Sequence, residues 1–335
     1  MSDTNLDPTP ATDNFDNEDE NVSLEDLGFE FTEEALPDDH KSGFVAVVGR
    51  PNVGKSTLMN AFLQQKLAIV TPRPQTTRTR QLGIITKDDH QIIFMDTPGL
   101  MKPRHKLDEF MVETAVEALD DADIILWLVD ASEPVGPGDQ DIATQLKALD
   151  KNKPIILAIN KIDTLNFDEV IPTTEAYRAL LPEAKWLVFS AQANRGTDEL
   201  YELLLDHLPL GPRYYPADQI TDTYIRDIAA EMIREQLLLQ LNDEIPYGTA
   251  VTVTEFKERE NGVIYINATI YVERDNHKKI VIGHKGKKLR QLGAAARQEI
   301  EELVNTRVYL ELWVKAAPKW RRKEDALRRF GYAKE

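Results

Sequence analysis

The sequence predicts an α/β domain with a mostly parallel sheet and helices on both faces, followed by a smaller α+β domain. Between residues 41 and 208, short apolar runs alternate with amphipathic stretches, which is the order typical of parallel sheets. A Pro- and Gly-rich linker then occurs at Pro209–Pro216. Beyond it the order changes to a helix, two alternating strands, further helices and a last strand. The 335 residues are enough for two such domains.

The first domain is predicted from its apolar runs. Six of them are rich in β-branched residues and are predicted as strands, namely Phe44–Val48, Gln81–Ile85, Gln91–Met95, Ile124–Val129, Ile155–Ile159 and Trp186–Phe189. Five amphipathic stretches are predicted as helices, namely Ser56–Gln64, Leu107–Leu119, Asp139–Asp150, Asp168–Leu181 and Thr197–Leu205. Ligands of such sheets bind at the carboxyl ends of the strands, so the polar residues found there are the candidate site.

Charge is distributed unevenly along the chain, whose formal net charge is −17. Residues 1–40 contain 14 Asp and Glu but no Lys or Arg, so we predict a disordered acidic tail. From His277 to the end there are 16 Lys and Arg against 7 Asp and Glu. A basic end indicates a polyanionic partner, although a solvated charged surface would have the same composition.

Composition also narrows the class of protein. The chain has no cysteine, which excludes a disulfide framework and a thiolate zinc site and suits a reducing compartment. No apolar run approaches the roughly 20 residues of a membrane span. The acidic N-terminus has no basic region like that of a secretory signal. We therefore expect a cytoplasmic protein.

A phosphate-binding loop is predicted between the first strand and the first helix. The stretch Gly49-Arg50-Pro51-Asn52-Val53-Gly54-Lys55-Ser56 fits the pattern G-x-x-x-x-G-K-[ST], and Thr57 follows it. The backbone N–H groups of this loop would face a phosphate chain at a helix N-terminus. Lys55 would reach the β and γ phosphates, and the Ser56 hydroxyl would ligate Mg²⁺.

Two further segments would complete the phosphate end of this site. Asp96-Thr97-Pro98-Gly99 closes a strand, which places Asp96 to hold Mg²⁺ through water and the Gly99 amide to donate to the γ-phosphate. The polar stretch 71–78 is predicted to be mobile, and Thr77, favoured over Thr76, would complete the metal shell. Residues 100–106 form a second predicted mobile stretch.

The nucleotide base is predicted from the motif Asn160-Lys161-Ile162-Asp163, which closes another strand. The Asp163 carboxylate can accept two hydrogen bonds from guanine, from N1–H and from the exocyclic amine, a donor pair that adenine lacks. Asn160 and Lys161 would brace the neighbouring loops and cover the base. The dipeptide Ser190-Ala191 would complete the pocket, with the Ala191 amide donating to guanine O6.

These four motifs, in this order, resemble those of the Ras-like GTPase superfamily. Asn52, Thr76-Thr77-Arg78 and Asp96-Thr97-Pro98-Gly99-Leu100 are similar to the Era branch of bacterial GTPases. The resemblance implies GTP hydrolysis, with Lys55, Thr77 and Gly99 as the catalytic residues. Leu100 stands where Ras-type enzymes have a water-orienting glutamine. The resemblance also implies a K⁺ ion at Asn52, although a structural role for Asn52 as a turn residue stays open.

The second domain resembles a type II KH domain, an RNA-binding fold. Its predicted elements are the helix Thr223–Leu241, the strands Thr249–Phe256 and Val263–Val272, the loop Gly283-His284-Lys285-Gly286, the helix Lys287–Val304, the strand Val308–Val314 and a short basic helix Trp320–Phe330. The resemblance implies RNA contacts from the loop, from Lys287 and Lys288, and from Ile280, Ile282, Trp320, Arg321 and Arg322. For the two isoleucines we favour core packing over base contact.

The predicted organisation is therefore a tail at 1–40, an Era-type GTPase domain at 41–208, a linker at 209–221 and a type II KH domain at 222–335. This resemblance to the Era family implies a monomeric switch that uses GTP, GDP and Mg²⁺. It also implies binding near the 3′ end of small-subunit (16S) ribosomal RNA, assistance in 30S subunit assembly, and peripheral association with the inner membrane. Two alternatives stay open: a membrane-associated signalling GTPase, and an RNA-binding protein that uses GTP only as a structural ligand.

Overall fold

The computed structural model describes residues 36–149 and 153–333. Its first domain has a six-stranded sheet of order β2-β3-β1-β4-β5-β6, in which only β2 is antiparallel to its neighbour. The strands are β1 Lys41–Val48, β2 Gln81–Thr86, β3 His90–Asp96, β4 Ile124–Asp130, β5 Ile155–Asn160 and β6 Lys185–Val188. The helices are α1 Lys55–Leu63, α2 Lys106–Asp121, α3 Pro137–Lys147, α4 Phe167–Arg178 and α5 Thr197–His207.

The second domain has a three-stranded sheet of order β7-β8-β9, with β7 antiparallel and β9 parallel to β8. Its elements are α6 Ile225–Gln240, β7 Thr249–Glu258, β8 Ile264–Val272, α7 Asp275–Ile282, α8 Lys287–Val304, β9 Val308–Ala316 and α9 Glu324–Arg329. The predicted fold class is confirmed for both domains. Most predicted elements recur with ends shifted by a few residues, and Asp150 lies outside the described residues.

The inner strands β1, β3, β4 and β5 are buried on both faces of the first sheet, which explains why they are nearly continuous apolar runs. One core contains residues of α2, α3 and α4, and the other contains residues of α1 and α5. The parallel register aligns the strand ends: Val47 pairs with Asp96, and Asp130 pairs with Asn160. Three polar residues that end β3, β4 and β5 therefore lie along one edge of the sheet.

A third core joins the two domains. It contains Leu107 and Met111 of α2 together with Tyr271, Trp320 and Phe330 of the second domain. The Trp320 indole is fully buried, and its Nε1 donates to the Gly248 carbonyl at 2.9 Å. Because this indole faces the interior, the prediction that Trp320 contacts RNA is corrected.

The C-terminal segment also differs from the single basic helix that we predicted. A 3₁₀ turn at Trp320–Arg322 is separated from α9 by Lys323, whose backbone is extended. The break lets Trp320 turn inward while the basic residues of α9 stay at the surface. Local periodicity could not predict this break because it depends on the domain junction.

The N-terminal tail that we predicted falls mostly outside the described residues. Of its 40 residues only 36–40 are described, and they lead through a turn into β1. His40 is buried there, within 2.8 Å of the Gly211 carbonyl oxygen. Within the described ranges, no helix combines the length and the apolar character needed to cross a membrane.

Candidate nucleotide site and candidate nucleic-acid interface

A cavity of about 400 Å³ opens at the carboxyl edge of the first sheet. Nine predicted site residues line it: Pro51, Asn52, Gly54, Lys55, Ser56, Thr57, Thr77, Gly99 and Lys161. The other predicted nucleotide residues lie outside this lining: Gly49, Arg50, Val53, Asp96, Thr97, Pro98, Asn160, Asp163, Ser190 and Ala191. The structure therefore brings eight residues of the predicted phosphate end and Lys161 of the predicted base end together around one cavity.

Three oxygen-bearing side chains converge beside this cavity. The Ser56 hydroxyl donates to Asp96 Oδ2 at 2.7 Å, and the Thr77 hydroxyl donates to the same oxygen at 3.1 Å. The two hydroxyl oxygens are 3.1 Å apart. Thr76 is absent from this group because its hydroxyl donates to the Arg73 carbonyl at 2.8 Å. The geometry thus favours Thr77 over Thr76.

The same cluster fits a Mg²⁺ ion. Asp96 is fully buried, and its Oδ1 has no hydrogen-bond partner among the residues that the structure describes. Burial raises the pKa of Asp96, whereas the nearby Lys55 charge and the two hydroxyl donors oppose that increase. Carboxylate and hydroxyl oxygens are the ligands that Mg²⁺ prefers. A cation here would satisfy the unpartnered oxygen.

The Lys55 ammonium is held inside the phosphate-binding loop. Its Nζ donates to the carbonyl of Gly49 at 3.2 Å and to that of Arg50 at 2.9 Å. Burial lowers the pKa of Lys55 to about 8, and the charge of Asp96 only partly compensates. The ammonium therefore lacks a full counter-charge, which a phosphate chain would supply.

The D-x-x-G turn lies directly against the phosphate-binding loop. A Cβ at position 99 would lie 2.7 Å from the Pro51 nitrogen, so this close approach requires Gly99. The Thr97 hydroxyl points into the sheet and donates to the Val47 carbonyl at 2.8 Å, so only its backbone can face a nucleotide. Leu100 is buried in the core. Its side chain cannot orient a water molecule.

Asn160 links the phosphate-binding loop to the predicted base pocket. Its Nδ2 donates to the Val53 carbonyl at 2.8 Å, and its Oδ1 accepts from the Ala191 amide at 3.0 Å. The Ala191 amide is therefore already engaged, and donation to guanine O6 would require it to exchange partners. Asp163 is exposed at a 3₁₀ turn beside this bridge.

Outside the stretch 71–78, our sequence analysis missed six residues that line the cavity: Ile69, Val70, Asp130, Ser132, Glu133 and Gln192. Asp130 ends β4 and pairs with the Lys161 ammonium at 2.5 Å. Its position after a buried strand, like that of Asp96, was a signal that could have identified it. Glu133 and Asp139 both accept from the Arg50 guanidinium at 2.8 Å, so that side chain anchors the loop to α3.

The G-x-x-G loop of the second domain lies at the surface between α7 and α8. Gly283 has φ of +70°, and a Cβ there would lie 2.6 Å from the Lys288 Cβ, so only glycine fits. His284, Lys285 and Lys287 are exposed, as is Arg322 further along the chain. Arg321 instead donates to Glu273 at 2.6 Å and lies 3.1 Å from His105 Nε2. The loop therefore presents free positive charge, whereas Arg321 is already paired.

A groove of about 500 Å³ runs from this loop between α8 and β9. It is lined by Gly286, Leu289, Arg290, Gly293, Ala294, Arg297, Leu310 and Leu312. Arg290 and Arg297 had not been predicted, although a helical repeat from Gly286 places both on one face. Ile280 is 50 % exposed, so our preference for core packing was wrong for it, whereas Ile282 packs against the core.

The fold and the two sites define a Ras-like GTPase that carries a C-terminal KH domain. A family model described as a 50S ribosome-binding GTPase matches residues 44–161, and a KH-domain model matches residues 244–321. The chain belongs to the GTPase Era family. It is 48 % identical over 295 residues to GTPase Era of Halothermothrix orenii. The aligned region covers 88 % of this chain and 99 % of that protein. With GTPase Era of Ruminiclostridium cellulolyticum the identity is 46 % over 293 residues, covering 88 % and 98 %.

Two solved structures are similar along the same part of the chain. One is a variant of Aquifex aeolicus Era bound to GDP·AlF₄⁻, with a TM-score of 0.84, 41 % identity, and coverage of 88 % of this chain and 100 % of that one. The other is Era in complex with MgGDPNP and nucleotides 1506–1542 of 16S ribosomal RNA, with the same score, identity and coverage. The chain is accordingly a GTPase, which sets aside the alternative of GTP as a purely structural ligand.

Proposed function

We propose that this GTPase is a nucleotide-controlled switch that binds small-subunit ribosomal RNA near its 3′ end and assists assembly of the 30S subunit. The observation that carries the proposal is the joint presence of the Ser56–Thr77–Asp96 cluster and the exposed basic loop at 283–286. The Era complex with MgGDPNP and a 16S rRNA fragment supports it by similarity. We place the functional division at 41–208, 209–221 and 222–335, with a monomer as the working unit.

The GTP site works by holding the phosphates in place and by stabilising their charge. Lys55 and the amides of the phosphate-binding loop stabilise negative charge on the β and γ phosphates, and the Gly99 amide donates to the γ-phosphate. Ser56, Thr77 and Asp96 would hold Mg²⁺, which when bound neutralises phosphate charge. No described residue at the γ-phosphate end is a convincing general base. Intrinsic turnover is therefore slow.

K⁺ is a second proposed cofactor, with Asn52 as its ligand. The Asn52 Nδ2 donates to the Pro72 carbonyl at 2.9 Å, which leaves Oδ1 available for a cation. Hydrolysis should be at least about tenfold faster in KCl than in NaCl if the site is selective for K⁺, because a K⁺ bound there would supply positive charge to the transition state as an arginine finger does. Asn52 has φ of +67°, which glycine also adopts. The Asn52→Gly variant should retain its affinity for GDP but lose the acceleration of hydrolysis by K⁺. If K⁺ still accelerates hydrolysis in this variant, Asn52 has only a structural role in the turn.

RNA recognition is assigned to the loop 283–286 and the adjoining groove. The exposed Lys285 and Lys287 can contact phosphates, while the half-exposed Ile280 and the groove leucines offer apolar surface to bases. Arg322 can add a backbone contact. Trp320 is left out of this set because it is buried, and Arg321 because it is already paired.

We place the protein in the cytoplasm, with peripheral association with the inner membrane as a further proposal. The same basic surface would attract anionic lipid headgroups as well as RNA. A membrane-associated signalling GTPase therefore stays as the second candidate function. Flotation with anionic liposomes at the salt concentration used for RNA binding separates the two.

Crosslinking followed by sequencing tests the RNA assignment directly. With a non-hydrolysable GTP analogue, we expect a footprint at the 3′ end of small-subunit rRNA that weakens with GDP. Lys285→Glu combined with Lys287→Glu should reduce RNA affinity about 10- to 100-fold near 0.1 M salt and reduce the salt slope by about 1.4. GTP hydrolysis by this variant in the absence of RNA should be unchanged.

Lys147→Glu combined with Lys185→Glu is the matched control. Both lysines are exposed on the first domain, so the net charge changes equally while the second domain stays intact. Equal loss of RNA affinity in both double variants would show that the effect comes from the overall charge of the protein and not from a specific contact by Lys285 and Lys287. A missing rRNA footprint together with liposome binding would favour the membrane function.

A further inference from the structure

One side chain of the second domain contacts the backbone of the first domain next to Thr77. Arg234 lies on α6, and its Nη1 is 3.4 Å from the Gln75 carbonyl oxygen. Its Nη2 donates to the Thr76 carbonyl oxygen. These two carbonyls belong to the residues that immediately precede Thr77. A residue remote in sequence is therefore bonded to the loop that presents a proposed metal ligand.

Burying an arginine at position 234 is energetically unfavourable. It is fully buried, and its ion-pair partner Glu231 is 30 % exposed. A buried charge costs several kcal/mol in desolvation unless its hydrogen bonds are satisfied, so an apolar residue would pack α6 against the loop at lower cost. The planar guanidinium offers donors in a fixed fork, which defines the position of whatever accepts them. Here the acceptors are Glu231 and two main-chain carbonyls.

The loop needs such support because its backbone turns sharply at Gln75. This residue has φ of +62°, a left-handed conformation that costs a non-glycine residue free energy unless its surroundings impose it. The turn directs the next residues back toward the cavity. The Thr77 hydroxyl then lies 3.1 Å from both Ser56 Oγ and Asp96 Oδ2.

The second domain contacts the loop on either side of this turn as well. Glu235, the next residue of α6, accepts the Val70 amide at 2.8 Å and pairs with Lys66 at 2.6 Å. Arg78 is buried and donates to the carbonyls of Thr249 at 2.6 Å and Tyr247 at 2.9 Å. Thr77 thus lies between two residues whose positions are fixed by the second domain.

We propose that Arg234 is a positioning residue for GTP hydrolysis, which acts by holding the Gln75 and Thr76 carbonyls so that the Thr77 hydroxyl faces the Ser56–Asp96 pair. The inference rests on the proposed role of Thr77 as a Mg²⁺ ligand. It assigns to the second domain a part in the GTP site of the first domain, because the loop is not held in this conformation by first-domain contacts alone.

Arg234→Met tests the proposal, because methionine keeps an unbranched apolar side chain that suits a helix. Mg²⁺ affinity of the complex with a non-hydrolysable GTP analogue, measured by calorimetry, should fall about tenfold, since the loop loses two hydrogen bonds that fix it. GDP affinity in the absence of Mg²⁺ should stay unchanged. Glu324→Gln is the matched control, because it breaks an exposed ion pair between the domains, with Lys106, away from the loop.

A double-mutant cycle distinguishes positioning from general packing. In a Thr77→Ala background, Arg234→Met should have no further effect on Mg²⁺ affinity, because the group that it positions is gone. Additive losses, or an Arg234→Met variant with unchanged Mg²⁺ affinity, would overturn the inference. If Thr77→Ala itself leaves Mg²⁺ affinity unchanged, the proposed role of Thr77 fails instead.

Arg234→Lys keeps the test decisive if the methionine variant unfolds. Lysine retains the charge beside Glu231 but lacks the second arm that reaches the carbonyls. We expect a loss of Mg²⁺ affinity of at least about threefold, accompanied by faster hydrogen exchange of residues 70–78. Wild-type Mg²⁺ affinity in the lysine variant would overturn the proposal.

Discussion

Replacing Asp163 with asparagine should convert the guanine specificity of the site into xanthine specificity. Guanine offers N1–H and an exocyclic amine, which both donate to a carboxylate. Xanthine carries a carbonyl oxygen in place of that amine. An asparagine amide can accept from N1–H and donate to this carbonyl, so its hydrogen-bonding pattern matches xanthine.

The expected effect is large because guanine bound opposite an asparagine would leave polar groups of the base and of the side chain without hydrogen-bond partners. A site built to hydrogen-bond one ligand rejects an analogue without the matching group by about 10⁴-fold. We therefore expect Asp163→Asn to lose about 10³- to 10⁴-fold in GTP affinity relative to XTP. Competition of GTP and XTP against a fluorescent nucleotide measures this ratio.

The substitution should leave the fold intact, which makes the result interpretable. Asp163 is exposed at a short 3₁₀ turn, and surface substitutions away from packed features change stability little. Asp206→Asn is the matched control, since it makes the same chemical change at an exposed position near the end of α5. An Asp163→Asn variant that still prefers GTP would remove this residue from the base pocket.

The phosphate end of the site could be predicted from sequence because its residues follow buried strands. Asp96 ends an apolar run of β3, and the parallel register then brings it to the edge where α1 begins. The hydroxyl of Ser56 is fixed at the start of α1 by the motif itself. Strand order and motif spacing therefore determine the Ser56–Asp96 pair, whereas the position of Thr77 depends on how the loop before it is held.

The contacts between the domains could not be predicted in the same way. Arg234 lies in a charged helical stretch without any motif, and its two main-chain acceptors are about 160 residues away in the sequence. Trp320 is flanked by basic residues, which suggested a surface role, yet it is buried in the core that also contains Leu107 and Met111 of α2. In both cases the environment is determined by the contact between the two domains. The local sequence pattern contains no information about the contact between the domains.

Removing the charge of Lys55 should have the second large effect, and it should act on the phosphates instead of the base. The folded protein lowers the pKa of this ammonium to about 8 by burying it without a full counter-charge. A bound phosphate chain supplies that charge, so nucleotide binding relieves a cost that the free protein bears. Lys55→Ala removes both the desolvation cost of the buried ammonium and its attraction for the phosphates.

We expect Lys55→Ala to weaken GDP and GTP binding by about 10²- to 10³-fold, because loss of one partner from a buried charge pair costs about 2–5 kcal/mol. XTP binding by an Asp163→Asn, Lys55→Ala double variant should fall by the same factor, since the base and phosphate ends lie apart and contribute additively. Without nucleotide, the melting temperature of Lys55→Ala should be at most a few degrees below that of the wild type, because the substitution removes a buried charge that is poorly compensated. Equilibrium dialysis measures the affinities, and a GDP affinity within about tenfold of the wild-type value would contradict the role assigned to Lys55.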